Sequence, residues 1–146
     1  SRLGPPWPGF QSGLALAFSS SRVDARLPPD VEIMTPGPEV PHDLARFSGE
    51  WWGWMCRNRA CDTKLAVEKL TRTGGRIVYA WARDGAERYS MRVEAKWEHG
   101  ELSAGFPSGA AGVKYRMRSD GNLDVMYWKE GGSIWTTGIL TRVRTH

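Results

Sequence analysis

Phe47-Ser48-Gly49-Glu50-Trp51-Trp52-Gly53-Trp54-Met55 is the stretch whose reading decides the fold. It holds three of the eight tryptophans of a 146-residue chain. Upstream of it the sequence is irregular and proline-rich; downstream the hydrophobic period changes to two. The stretch therefore reads as the first strand of a β-structure. Successive strand residues point to opposite faces, so Trp52 and Trp54 share one face and Trp51 takes the other.

The downstream segments repeat that period. Leu65 and Val67 alternate with Lys64, Ala66 and Glu68, and Gly74-Gly75 turns the chain. Ile77, Tyr79 and Trp81 follow, ending at Asp84-Gly85. Tyr89, Met91, Val93, Ala95 and Trp97 alternate with Arg88, Arg92, Glu94 and Lys96, an apolar face against a charged one. Shorter runs centre on Leu102, Ala104 and Phe106, then on Val113, Tyr115 and Met117, then on Leu123, Val125 and Tyr127. A last strand runs from about Ile134 to Val143.

Roughly eight strands at near-regular spacing, joined by glycine-containing turns, predict an all-β antiparallel sandwich or barrel. No helical segment is long enough for a parallel crossover. Consecutive short hairpins favour an up-and-down meander, and an eight-stranded meander removes its edges by closing on itself. Outward Arg88, Arg92 and Lys96 on one strand exclude a lipid-facing barrel. No run approaches the roughly 20 apolar residues of a membrane-spanning helix.

Residues 1–46 hold eight of the nine prolines. Proline fixes φ and removes a donor, so this region reads as an irregular arm or linker. Val31 to Met34 is a candidate edge strand, and residues 41–46 a helical turn with Pro41 at its start. Residues 47–146 form the barrel domain. The arm offers a route to a homodimer or an attached domain.

Here a resemblance enters. Phe47-x-Gly49-x-Trp51-Trp52 resembles the first-strand signature of the calycins, the lipocalin and avidin-like barrels, and a helical turn before the motif is usual there. The resemblance implies that Trp51, behind Gly49, closes one end of the barrel under a basic residue from the last strand, Arg142 or Arg144. The order Gly49, Trp51, Leu65, Val67, Gly75, Tyr79 is similar to that of avidin-like barrels. Gly53 stands where biotin binders place an asparagine, so biotin is not implied. The texture also resembles small lipocalin-like modules of uncharacterised bacterial proteins.

The candidate inward set is Tyr79, Trp81, Tyr89, Met91, Trp97, Tyr115, Met117 and Tyr127. Eight strands enclose either a filled core or room for one small ligand. The functional reading is a cavity with phenol donors in an apolar wall; the other is close packing. Trp52, Trp54 and Trp128 are the surface aromatic candidates. Trp52 and Trp54 require either cover, from a second subunit or from Trp7, Phe10 and Phe18 of the arm, or a sugar stacked upon them.

Cys56 and Cys61 flank four residues. Across a hairpin loop they can pair, which requires an oxidising compartment; the alternative is two free thiols. No second Cys-x-x-Cys or nearby histidine completes a metal set, so no metal and no cofactor are expected. A secreted or periplasmic location is the expectation, with the cytoplasm left open. The formal charge of +4 is mild, and Glu87 and Glu94 interrupt the basic residues, so nucleic acid is not an expected partner. His42, His99 and His146 stand in no nucleophile–base arrangement, and no catalytic motif occurs, so an enzyme is not the expected class. The expected function is non-catalytic binding of a small hydrophobic or aromatic molecule inside the barrel. The alternative is a carbohydrate-binding or protein-interaction module that uses its exposed tryptophans, with a filled barrel as scaffold.

Overall fold

The computed structural model describes residues 24–56, 60–83, 88–106, 109–129 and 134–143. Its strands are β1 (Gly49–Met55), β2 (Cys61–Leu70), β3 (Gly74–Arg83), β4 (Tyr89–Glu98), β5 (Glu101–Gly105), β6 (Ala111–Met117), β7 (Leu123–Lys129) and β8 (Ile134–Arg142). Each pairs with the next, all antiparallel, and β8 pairs with β1 to close the barrel. The all-β, up-and-down architecture follows the alternation and the turns. Closure pairs every strand on both sides, although β4 and β5 meet only through Lys96–Glu98 and Glu101–Ser103, so the rest of β4 has no ladder partner on that side among the described residues.

A helical turn, α1 (His42–Ala45), precedes β1 and buries Leu44. Phe47 and Trp51 then enter the interior, both almost fully buried. Gly49 sits between them with φ +118°, a backbone conformation glycine adopts freely and a side chain resists. The interior fills from this end with Leu65, Val67, Ile77, Leu102, Leu123 and Leu140. Every one belongs to a period-two face, which is why patterning alone places it inward.

The outer face is not wholly solvated. Ala66, Val78, Ala80 and Ala82 point outward on β2 and β3, yet all are buried. Residues 24–34 lie over them, and Ala25 and Leu27 pack on Ala80 and Ala82. Glu68 anchors this strap. It lies at a register shift in β2 between Val67 and Lys69, where one extra residue is accommodated. Its carboxylate is only 2% exposed. It accepts from Arg92 Nε at 2.8 Å, from Arg76 Nε at 3.3 Å and from the Glu32 backbone N–H at 3.1 Å. Arg92 also reaches Asp30, and the Met34 N–H donates to the Glu68 carbonyl.

Val31 to Met34 was expected as an edge strand and is not one. It lies across the outer face of β2 and β3 instead of beside a strand edge, and it docks through the groups exposed at the β2 irregularity. Arg92, expected on a plain solvated face, is an element of the strap.

Candidate functional site

The two ends of the barrel differ. At the α1 end the chain turns tightly through Thr71–Thr73, His99–Gly100 and Arg118–Asn122. The opposite end receives the connections β1–β2, β3–β4, β5–β6 and β7–β8. Residues 57–59, 84–87, 107–108 and 130–133 of these connections lie outside the described residues.

The α1 end is plugged. Trp51 donates its indole N–H to the Phe47 carbonyl at 3.0 Å. The Arg142 guanidinium covers the ring, 4.2 Å from its centroid. It donates to the Ser48 and Arg46 carbonyls at 2.6 Å each. Phe47 meets Trp97 edge to face at 5.4 Å. Arg144, the other residue named for the Trp51 cover, lies outside the described residues.

At the opposite end the interior opens into a cavity of about 310 Å³. Trp81 from β3, Tyr89 from β4, Phe106 after β5 and Tyr127 from β7 supply its aromatic wall. Met55, Ala111, Thr136 and the paired Cys56 and Cys61 complete it, with Trp128 and Lys129 at the side. The rings form one chain: Phe106 stacks on Tyr79 at 5.0 Å and meets Tyr127 at 5.6 Å, and Tyr89 lies about equally near Tyr79 and Trp81. Such contacts fix ring orientation beyond what area burial alone would do.

Seven of the eight residues expected inside the barrel divide by level, and the eighth, Met91, is half-buried beside Tyr79 and outside the cavity lining. Trp81, Tyr89 and Tyr127 line the cavity. Tyr79 and Tyr115 are fully buried below it, and the Tyr79 hydroxyl donates to the Met91 sulfur at 3.6 Å. Trp97 and Met117 border a groove beside Phe47 at the plugged end and take no part in the cavity. The alternation gave all eight the same face; only their height along the barrel separates them.

Met55, Phe106, Ala111 and Thr136 were not among the expected cavity residues. Met55 and Phe106 were legible, since Met55 continues the face of Trp51 along its strand and Phe106 belongs to the run with Leu102 and Ala104. Thr136 is placed by a contact 80 residues away: its hydroxyl oxygen accepts the Cys56 N–H at 3.0 Å. Cys56 and Cys61 form a disulfide, with Cα atoms 5.5 Å apart, across the β1–β2 corner. Cys56 takes φ +72°, which turns the chain out of β1.

The cavity's buried polar groups are neutral donors, with Lys129 the basic side chain among its described lining. Burial, more than the neighbouring phenols, raises the Tyr79, Tyr115 and Tyr127 pKa values well above the ordinary phenol range. They stay protonated at any physiological pH. Among the described residues, no carboxylate or imidazole lines the cavity, and no cluster of His, Cys, Asp or Glu side chains is grouped to hold a metal. The described wall can bury an apolar body and donate hydrogen bonds to it; it holds no acid–base pair.

The surface tryptophans also differ from one another. Trp52 is 53% exposed on the outside of β1, and Trp54 is half-buried on the same face. Trp128 lies across Gly112 of β6, where a Cβ would collide with its ring. A ring resting on the sheet is held in place by that packing and is not a free-standing platform. Trp7, Phe10 and Phe18, expected as cover for Trp52 and Trp54, lie outside the described residues.

Fold and site together define the class: an eight-stranded antiparallel barrel plugged at one end and, among the described residues, holding an aromatic-walled cavity at the other. No protein-family model matches the chain, and no curated protein matches it. No helix among the described residues is long and apolar enough to cross a membrane.

Proposed function

We propose that this chain is a non-catalytic binding protein whose calycin-like barrel holds a small hydrophobic or aromatic molecule in its open end. The observation that carries the reading is the cavity of about 310 Å³ walled by Trp81, Tyr89, Phe106 and Tyr127. That volume stands at the small end of ligand pockets, which are mostly apolar with a few placed polar groups. Apolar burial drives binding, at about 25 cal/mol per Å² removed from water. Tyr127 and Tyr89 orient the ligand by donating to a carbonyl, ether or similar acceptor.

Trp51 under Arg142 supports the calycin-like assignment, since a covered tryptophan at the plugged end is what the opening motif implies. The Cys56–Cys61 bond supports a secreted or periplasmic site of action, where such bonds persist.

The test is titration of the purified chain with 1-aminoanthracene and a fatty-acid series, beside mass spectrometry of a denaturing organic extract. Saturable binding of one probe class that is lost in Ala111→Trp, a substitution directed into the cavity, is the expected result. No saturable binding, or binding indifferent to Ala111→Trp, would overturn the reading.

A further inference from the structure

We propose that the outside of β1 carries a second binding site, independent of the cavity, at which a neutral saccharide stacks on Trp52. Trp52 is the most exposed aromatic residue among those described, and its ring is held in one orientation. The indole Nε1–H donates to Asp62 Oδ1 at 2.8 Å. The other oxygen of Asp62 accepts the Ala25 N–H at 2.7 Å. A fixed ring presents its face to a ligand without the entropy loss that ordering a free side chain would add.

The surroundings are mixed in the way a sugar requires. Lys64 of β2 and Thr141 of β8 stand directly opposite Trp52 on its two neighbouring strands. Directly opposed residues on one sheet face lie within side-chain reach. A groove of about 640 Å³ runs to one side, bordered by Trp54, Ile139, Thr141 and Val143. A groove of about 530 Å³ runs to the other, bordered by Glu50, Lys64 and Arg26. Both grooves share Trp52 and Asp62, so the ring stands between them as the platform.

Charge decides the class of occupant. Asp24, Glu50 and Asp62 stand against Arg26 and Lys64 around the two grooves, and Asp62 is already engaged by the Trp52 indole and the Ala25 N–H. An anionic or cationic polymer meets as much repulsion as attraction there. A pyranose meets an aromatic surface for its C–H face, and donors and acceptors of both kinds for its hydroxyls. Trp suits this role because one side chain combines a large apolar body with a polar edge.

The experiment is calorimetric titration of the full chain with neutral oligosaccharides: β-1,4-glucan, β-1,3-glucan, β-1,4-mannan, chitin and α-1,4-glucan fragments. At least one binds saturably, and Trp52→Ala weakens that binding by at least about tenfold, as loss of an aromatic anchor does. Trp52→Tyr restores part of it, and the cavity-directed Ala111→Trp leaves it unchanged within about twofold, the level expected for distant independent sites. Circular dichroism and a melting curve establish that each variant is folded. Three outcomes overturn the proposal: no oligosaccharide binds, Trp52→Ala binds as well as the parent chain, or the parent is a dimer that Trp52→Ala dissociates.

Discussion

The Arg142 guanidinium lies 4.2 Å from the centroid of the Trp51 ring and bridges it to the carbonyls of Arg46 and Ser48. One side chain of the last strand thereby ties the entry of the chain to the first, at the seam where the barrel closes. Cation–π attraction contributes about 0.5–2 kcal/mol, and hydrogen bonds from a charged donor about 1.5–3 kcal/mol each when buried. The site is partly exposed, so Arg142→Ala is expected to cost about 2–3 kcal/mol in denaturant unfolding. Arg142→Lys recovers less than half of that, because an ammonium cannot fork to two carbonyls while lying flat on a ring. Full recovery by lysine would show that charge alone matters.

Glu68 predicts an acid-labile strap. Its hydrogen bonds with Arg92, more than the Glu32 N–H and the Arg76 charge, hold its pKa below the ordinary 4.5 against the opposing effect of burial. A depressed folded-state pKa means that the contribution is complete above 4.5 and fades as pH falls through the folded value. Glu68→Gln is expected to cost about 2 kcal/mol at pH 7, less than a wholly buried pair because both arginines are partly solvated. It also flattens the acid limb of the melting temperature plotted against pH. An acid limb unchanged in the variant would place the proton-linked loss elsewhere.

The Cys56–Cys61 bond closes a ring with a sequence separation of five. Chain-entropy arithmetic for so short a ring gives about 2 kcal/mol. The Cys56→Ser, Cys61→Ser double variant should therefore stay folded while its unfolding free energy in urea falls by about that amount, with a lowered midpoint. Because both cysteines line the cavity, the same variant should also weaken probe binding. An unchanged midpoint would show that the β1–β2 ladder and the Cys56–Thr136 hydrogen bond hold this corner without the disulfide.

Phe106 stacks on Tyr79 and meets Tyr127, so it supports two other aromatic residues as well as its own share of the wall. Phe106→Ala is expected to destabilise by about 3 kcal/mol, at the low end for truncating an aromatic because one side already faces open space. The enlarged cavity should then accept a bulkier probe than the parent chain does. Fluorescence titration with probes graded in ring number reads this directly, and an unaltered size limit would mean that Phe106 does not bound the site.

How much of this was legible beforehand differs by element. The strands from Tyr89 to Trp97 and from Val113 to Met117 were readable because apolar and charged residues alternate strictly. The strand from Ile77 to Ala82 carried a second message. Val78, Ala80 and Ala82 make its outward face apolar too, and a strand apolar on both faces is covered on both. That signal marked where residues 24–34 lie. The prolines of the arm argue only against regular structure, so the arm's own residues do not say where it docks.

The sequence by itself determined the strands, their turns and the face each residue takes, since period-two alternation and glycine turns are local properties of the chain. It also put Trp51 and Trp52 on opposite faces, and the resemblance of the opening motif implied that Trp51 is the inward one. Only the tertiary structure decided which inward rings border open space. The stagger of neighbouring strands sets the height of each residue along the barrel, and height separates Tyr127 at the cavity from Trp97 beside the plug. Only the tertiary structure joined Glu68 to Arg92 and Asp30, because those charges meet across more than twenty residues of sequence. The Phe47 to Met55 stretch accordingly serves two surfaces. Its inner residues run from the plug at Trp51 to the cavity wall at Met55, and its outer face presents Trp52 beside Asp62.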